Sequence, residues 1–292
     1  MQKQVAVARV PLKNILYATD FSGHSNAALP YALCIARKYG SKILAVHVVS
    51  LSLFPSSSPT IALQAMASQA VREAKDSMAK LDAQLEAIPH KVLIRKGNIS
   101  KELSRIVDED RIDLIVLGTH GRAGVSKVLM GSVAEEIFRQ APCPVLTVGP
   151  NVHGEPGVAV EMRTILYPTD FSSESLTAAP YAISMAQEHQ ARLYLLHVTG
   201  SPVDKPTEDS LKERLLGLIP QEAKLWCEPK AYVDSGSASE KILGLGEELA
   251  VDLVLLGVKR TPRLAGASHH PVTATAYKVV TQAICPVLTV RA

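Results

Sequence analysis

Three glycines with an uncommon spacing raise the first chemical question. Gly118, Gly121 and Gly131 form G-x2-G-x9-G within "LGTHGRAGVSKVLMGSVAEE", and Ser132 follows the last of them. Glycine weakens helices and strands, so it gathers where the backbone needs positive φ or where something must approach closely. An ordinary loop meets that description, and so does a cradle for phosphate. In the loop reading Gly131 turns the chain, and Ser132 with Glu135 three residues later makes a capping box for the next helix. The phosphate reading uses the same helix start, because first-turn N–H groups and the positive dipole end both favour an anion. Gly118 and Gly121 directly follow an apolar run, and Asp20 closes another, which tilts the balance towards phosphate.

Other chemistry-bearing residues give weaker signals. His47 and His197 fall at the same point of a repeated stretch, with no acidic or cysteine partner at a metal-ligand spacing, so packed structural histidines are expected. Arg122 and Lys127 lie inside the glycine segment, where solvated charges and phosphate contacts are equally good readings. The adjacent pair His269–His270 lacks the further ligands a metal needs. Cys34, Cys143, Cys227 and Cys285 show no C-x-x-C spacing and read as buried thiols in a reducing cytoplasm. No nucleophile–base pair follows from spacing, and no carboxylate is placed to activate water. Neither a catalytic residue nor a protein-held metal is therefore assigned.

The elements that must position these residues occur twice. "NILYATDFS" at 14–22 recurs as "TILYPTDFS" at 164–172, "IDLIVLG" at 112–118 as "VDLVLLG" at 251–257, and "QAPCPVLTV" at 140–148 as "QAICPVLTV" at 282–290. The expected organisation is a domain over 1–150, a Gly- and Pro-rich linker over 151–162, and a second domain over 163–292. Within the first copy, short β-branched runs such as "KILAVHVV" and "DLIVLG" read as strands buried on both faces. Amphipathic segments separate them: "HSNAALPYALCIARKYG", a long stretch over 60–88, "SKELSRIVDED" and "SVAEEIFRQ". That alternation predicts an α/β protein of two tandem, doubly wound parallel-sheet domains with five strands each. Ligands on such sheets bind beyond the carboxyl ends of the strands, where the winding reverses. A reversal between the first and fourth strands would set Asp20 and Gly118 on one rim.

The glycine motif after the fourth strand, "TDFS" after the first and the closing "CPVLTV" together resemble the universal stress protein family, over nearly the whole chain as two copies. The resemblance implies an adenine nucleotide α-hydrolase-like fold and binding of ATP, ADP or AMP, with Mg2+ bridging the phosphates. It implies Asp20 at the adenine, with Ala18 and Thr19 beside it, and Val48 lining the base pocket. Gly118, His120 and Gly121 would lie near ribose and phosphate, and Gly131, Ser132 and Val133 would hold the phosphates. It also implies that the closing strand pairs across a dimer, here within one chain, with a homodimer of chains as a further level.

The second copy departs from the pattern. Gly257 stands where Gly118 stood, but Arg260 replaces Gly121, Thr273 replaces Gly131 and Ala274 replaces Ser132. Pro262 and Pro271 enter the same stretch and remove N–H donors. One nucleotide per chain, held by the first copy, is the expectation. The role is read as regulatory, through an unidentified protein partner. Slow ATP hydrolysis, autophosphorylation and a ligand-free interaction module stand as alternatives. The chain carries neither the S-G-G-x-D-S loop nor the H-I-G-H motif of related nucleotide enzymes. A formal net charge of +3 and an aromatic content of 4% give no footprint for nucleic acid. No apolar run reaches the roughly 18–20 residues of a membrane span, and the first residues lack a secretory pattern, so a cytoplasmic protein is expected.

Overall fold

The computed structural model describes residues 9–50, 61–120, 130–152, 159–259 and 274–291. In the first half, β1 (Asn14–Ala18), β2 (Lys42–Ser50), β3 (His90–Gly97), β4 (Leu114–Gly118) and β5 (Val145–Val148) alternate with helices. These are α1 (Gly23–Asn26), α2 (Leu29–Tyr39), α3 (Ile61–Leu85), α4 (Ile99–Glu109) and α5 (Ser132–Gln140). The second half repeats the order with β6 (Thr164–Pro168), β7 (Arg192–Thr199), β8 (Lys230–Ser235), β9 (Leu253–Val258) and β10 (Val287–Arg291). Its helices are α6 (Ser173–Leu176), α7 (Ala179–His189), α8 (Lys205–Gly217), α9 (Gln221–Cys227), α10 (Ala238–Glu248) and α11 (Ala274–Gln282).

The strands form one sheet in the order β3-β2-β1-β4-β5-β10-β9-β6-β7-β8. Every pairing is parallel except the central one, where β5 and β10 run antiparallel with Leu146 opposite Leu288. The two closing "CPVLTV" strands therefore cover each other's edges, which removes a row of unpaired backbone groups from each half. Thr147 and Thr289 add a reciprocal pair of bonds, their hydroxyls donating to Val287 O (3.1 Å) and Val145 O (3.3 Å). The halves thus pair as a pseudo-dimer inside one chain.

Side chains alternate across this sheet with period two. Ile15 and Tyr17 enter one core layer with Ile35 of α2 and Leu85 of α3, while Leu16 enters the other with Ile106 of α4 and Phe138 of α5. Both layers run on into the second half, through Ile165, Tyr167 and Met185 on one face and Leu166, Leu256 and Val279 on the other. The long α3 buries Ala74, Met78, Leu81 and Leu85, a spacing that lays one stripe on the sheet.

The segment 24–40, one amphipathic unit in the sequence, is divided by the structure into α1 and α2. Pro30 explains the break, since it has no N–H and its ring clashes with the carbonyl four residues back, so it is accommodated at the start of α2. Gly40 ends that helix with φ +68°, and its N–H returns to Ala36 O. At the same place in the second half Gln190 adopts φ +53°, at some cost to a residue with a Cβ.

The helices α2 and α7 meet across the pseudo-twofold axis. Tyr39 Oη lies 2.9 Å from Ser184 Oγ, and the symmetry-related pair is His189 Nδ1 with Cys34 Sγ at 3.9 Å. One interface thus carries two versions of one contact, a phenol with a hydroxyl and an imidazole with a thiol.

Candidate nucleotide site

The order β2-β1-β4 places the winding reversal between β1 and β4, so the residues after both strands share one rim. After β1 the chain makes a tight turn held by its own side chains. Thr19, buried, accepts the Phe21 N–H on Oγ1 (2.9 Å) and lies 3.0 Å from Ser25 Oγ. Phe21 takes φ +62°, a left-handed conformation that these bonds sustain in a residue that seldom adopts it. Asp20 Oδ1 accepts the Ser22 N–H (3.0 Å), and Ser22 caps α1 by accepting the Ser25 N–H (3.2 Å). His47 Nδ1 is 2.8 Å from Thr19 O, and its ring packs on Phe21 at 4.7 Å between centroids. His47 therefore ties β2 to the turn, the structural role expected of it, and His197 repeats the arrangement with Thr169 O and Phe171.

Ala18 is half-buried at the end of β1, and Val48 is buried in the core layer that holds Leu16. Across the rim, Gly118 ends β4. A Cβ at that position would stand 2.6 Å from His24 O, so the missing side chain is answered first by the close approach of α1. Beyond it, Thr119 is fully buried and its hydroxyl lies 2.9 Å from His120 Nδ1. The His120 ring, buried, meets the ring of His24 at 5.5 Å between centroids. Gly121, Arg122 and Lys127 lie outside the described residues.

The chain returns to the rim at Gly131, whose N–H donates to Thr119 O (2.8 Å) and so closes the base of the glycine segment. Gly131 has φ −61° and ψ +146°, an extended conformation open to any residue. It is also the N-cap of α5. The capping box expected of Ser132 and Glu135 is not formed: Ser132 is the first helical residue, and Glu135 instead holds Arg139 (2.8 Å). The physical reason is that Gly131 is pinned to Thr119 in extended form, so the helix begins immediately after it. With no side-chain cap, the first-turn amides of Ser132, Val133 and Ala134 have no acceptor within the helix. Ser132 is exposed, Val133 packs partly on the core, and Ala134 is buried.

One residue that sequence reading missed belongs to the other half. Tyr277 of α11 accepts the Met130 N–H on its hydroxyl at 3.1 Å, and so holds the residue just before Gly131. Its sequence counterpart in α5 is Glu135, so comparison of the two copies points away from it. Only the fold, across 147 positions, brings it there.

The model of the "Universal stress protein family" matches residues 11–149 and again 161–291. The chain belongs to the universal stress protein family. About half of the chain resembles shorter universal stress proteins over most of their length. One from Methanocaldococcus jannaschii is 30% identical over 139 residues, 47% of this chain and 81% of the relative. Another from Thermus aquaticus is 30% identical over 139 residues, 47% and 98%. The full tandem architecture is shared with a universal stress protein from Archaeoglobus fulgidus, with TM-score 0.72 and 20% identity over 95% of this chain and 96% of the other. At that identity the likeness concerns the fold. Nucleotide binding is typical of universal stress proteins.

The four cysteines of this family member are free, and burial pushes the Cys143 and Cys285 thiols up to about 12 and Cys227 to about 11. Such thiols carry little thiolate at neutral pH and are poor nucleophiles. Among the described residues, no three His, Cys, Asp or Glu side chains converge to hold a metal, and no helix is long and apolar enough to cross a membrane.

Proposed function

We propose that this universal stress protein binds one adenine nucleotide, ATP or ADP, in its first half, and that occupancy of the site is what it reports to a protein partner. The carrying observation is the uncapped start of α5, facing a rim that also holds Asp20. Backbone amides of Ser132 and Val133, the Ser132 hydroxyl and the positive end of α5 would receive the phosphates. Gly131, without a side chain, leaves the approach open. Val48 would line the base pocket, with Asp20 accepting from the adenine amine or the ribose and Ala18 and Thr19 fixing the strand end beside it. Gly118, His120 and Gly121 would flank ribose and phosphate. Mg2+ would be held chiefly by the phosphates and water, as this hard cation commonly is with nucleotides.

The domain limits follow the same reading, with 1–150 as the nucleotide-binding unit, 151–162 as the linker and 163–292 as its degenerate partner. Isothermal titration of the full chain with ATP and with GTP tests the assignment. Binding of ATP at one per chain, with GTP much weaker, is the expected result. Equal binding of the two, or none, would end the adenine assignment.

A further inference from the structure

The row of strand ends that leads away from α5 in the first half finishes on a cation. Parallel register sets Ala18 of β1 level with Val46 of β2, and Val48 level with Arg95 of β3. Asp20 follows two residues beyond Ala18, so Asp20, Val48 and Arg95 succeed one another across the ends of three adjacent strands. Such strands lie about 4.8 Å apart, which puts Arg95 one strand beyond Val48, on the side away from β4 and α5. Leu93 packs on the core layer that holds Val48, and side chains alternate, so Arg95, two residues on, leaves β3 on that same face.

Among the described residues, Arg95 Nε is buried with no acceptor, and no carboxylate pairs with the guanidinium. Charged side chains on an edge strand discourage pairing with other chains, and the exposed Lys91 and Lys96 of β3 serve that purpose. Arg95 is half-buried instead, and a donor shut off from water without an acceptor costs stability. The fold does not require a cation there. In the second half Asp234 takes the place opposite Val198, and it is exposed and paired with Lys241 at 3.0 Å. An unmatched donor beside Val48 is therefore particular to the half that keeps the glycine motif, and a buried polar group of this kind calls for a ligand acceptor.

We propose that Arg95 is a further nucleotide contact, its Nε–H donating to a ring nitrogen, N1 or N7, on the edge of the adenine remote from the ribose. This rests on reading Val48 as the wall of the base pocket and the start of α5 as the phosphate end. A nucleotide laid from α5 towards β3 presents phosphates, ribose and base in that order. The ribose then comes to Asp20 and the far edge of the base to Arg95. Asp20 accepts from a ribose hydroxyl, and Arg95, which has donors only, meets the acceptors of the ring. The two charged residues bracket the nucleoside with Val48 between them.

The test titrates ATP, 1-deaza-ATP and 7-deaza-ATP into the full-length parent chain and into Arg95→Met. The variant should bind ATP about tenfold or more weakly, the scale of losing a hydrogen bond to a charged group. One of the two analogues should bind the parent more weakly than ATP does, yet bind Arg95→Met as well as ATP does, because both changes remove the same bond. Arg95→Lys, which keeps the charge without the planar fork, should not restore the affinity. In the absence of nucleotide, Arg95→Met should melt no lower than the parent, since a buried donor without an acceptor has been removed. A lower melting temperature with ATP affinity unchanged would make Arg95 a structural residue and overturn the proposal, as would analogue and variant losses that simply add. Those results would leave the first-half nucleotide assignment standing. A parent chain that takes no ATP would end both.

Discussion

The two halves share one turn and differ in nearly everything it faces. After β1 and after β6 the same network recurs: threonine to serine hydroxyl, aspartate to serine N–H, a phenylalanine at φ +62°, and a histidine on the threonine carbonyl. Gly118 and Gly257 also recur, each because a Cβ would collide with the carbonyl of the helix before it, His24 O in one half and Glu174 O in the other. These shared residues are explained by the fold before any ligand is invoked. Among the described residues, those that differ at the two rims include His24 and His120 against Glu174 and Lys259; in the sequence, Thr273 and Ala274 replace Gly131 and Ser132. Retention here marks the turn and the close approach of helix to strand, with Asp20 and Asp170 kept on both rims, and divergence marks the groups around them.

The sharpest way to break that division is to make the first rim resemble the second. Gly131→Val should leave the fold intact, since φ at that position is −61° and the backbone suits a branched residue. The valine should nevertheless block the approach to the α5 amides and cost at least about 100-fold in ATP affinity, the size of losing one or more charge-assisted bonds. Circular dichroism and calorimetry together check it. A folded variant that binds ATP normally would remove the phosphates from α5.

A second contrast lies at the interface. Burial, with Lys38 adding in the same direction, pushes His189 down to about 4, and among the described residues its Nε2 has no hydrogen-bond partner. The unfolded chain takes up this proton near 6.5. Between those two values the unfolded state binds more protons than the native state, so stability falls as pH drops from about 6.5 towards 4. The full difference is about 3 kcal/mol. The mirror pair, Tyr39 with Ser184, has no such dependence built into it. The double substitution Cys34→Ser with His189→Tyr copies that pair onto the opposite side, and denaturant melts at pH 7 and pH 5 should then differ less than in the parent chain. An unchanged pH slope would place the proton uptake elsewhere.

Gly118→Ala and Gly257→Ala test the scaffold side of the comparison. The added methyl meets backbone, which cannot rotate away, so α1 or α6 must shift, at about 1–3 kcal/mol each. Thermal melts should show both losses, with the Gly257 variant at least as damaged. A Gly257 variant of unchanged stability would mean that this glycine is not kept for packing.

Much of this was legible in the chain because the copies explain each other. "DLIVLG" with "DLVLLG" and the two "CPVLTV" runs located four strands and the edge that must be covered, and the switch point followed from the alternation of elements. The limits are equally physical. The helix start was misplaced by one residue, because the cap depends on Gly131 N–H reaching Thr119 O, a contact that no local pattern encodes. The close approach of α1 to Gly118 is likewise not legible, since sequence shows that a side chain is missing but not which neighbour fills the gap.

Tyr277 is the smallest effect expected and the one that most directly joins the halves. Its hydroxyl accepts the Met130 N–H next to Gly131, so a residue of the second half holds the chain just before α5 of the first. Tyr277→Phe keeps the ring in its core layer and removes only the acceptor. A lost hydrogen bond of this kind costs about 0.5–1.5 kcal/mol, which corresponds to a drop in ATP affinity of about two- to tenfold if the loop must be re-ordered on binding. A merely structural role would lower the melting temperature of the nucleotide-free chain and leave the titrated affinity unchanged. A positioning role does the opposite, weakening ATP and leaving the melting temperature of the nucleotide-free chain as it was. Loss of both affinity and melting temperature would show that Tyr277 supports the interface as a whole, and the two halves would then have to be treated as one cooperative unit.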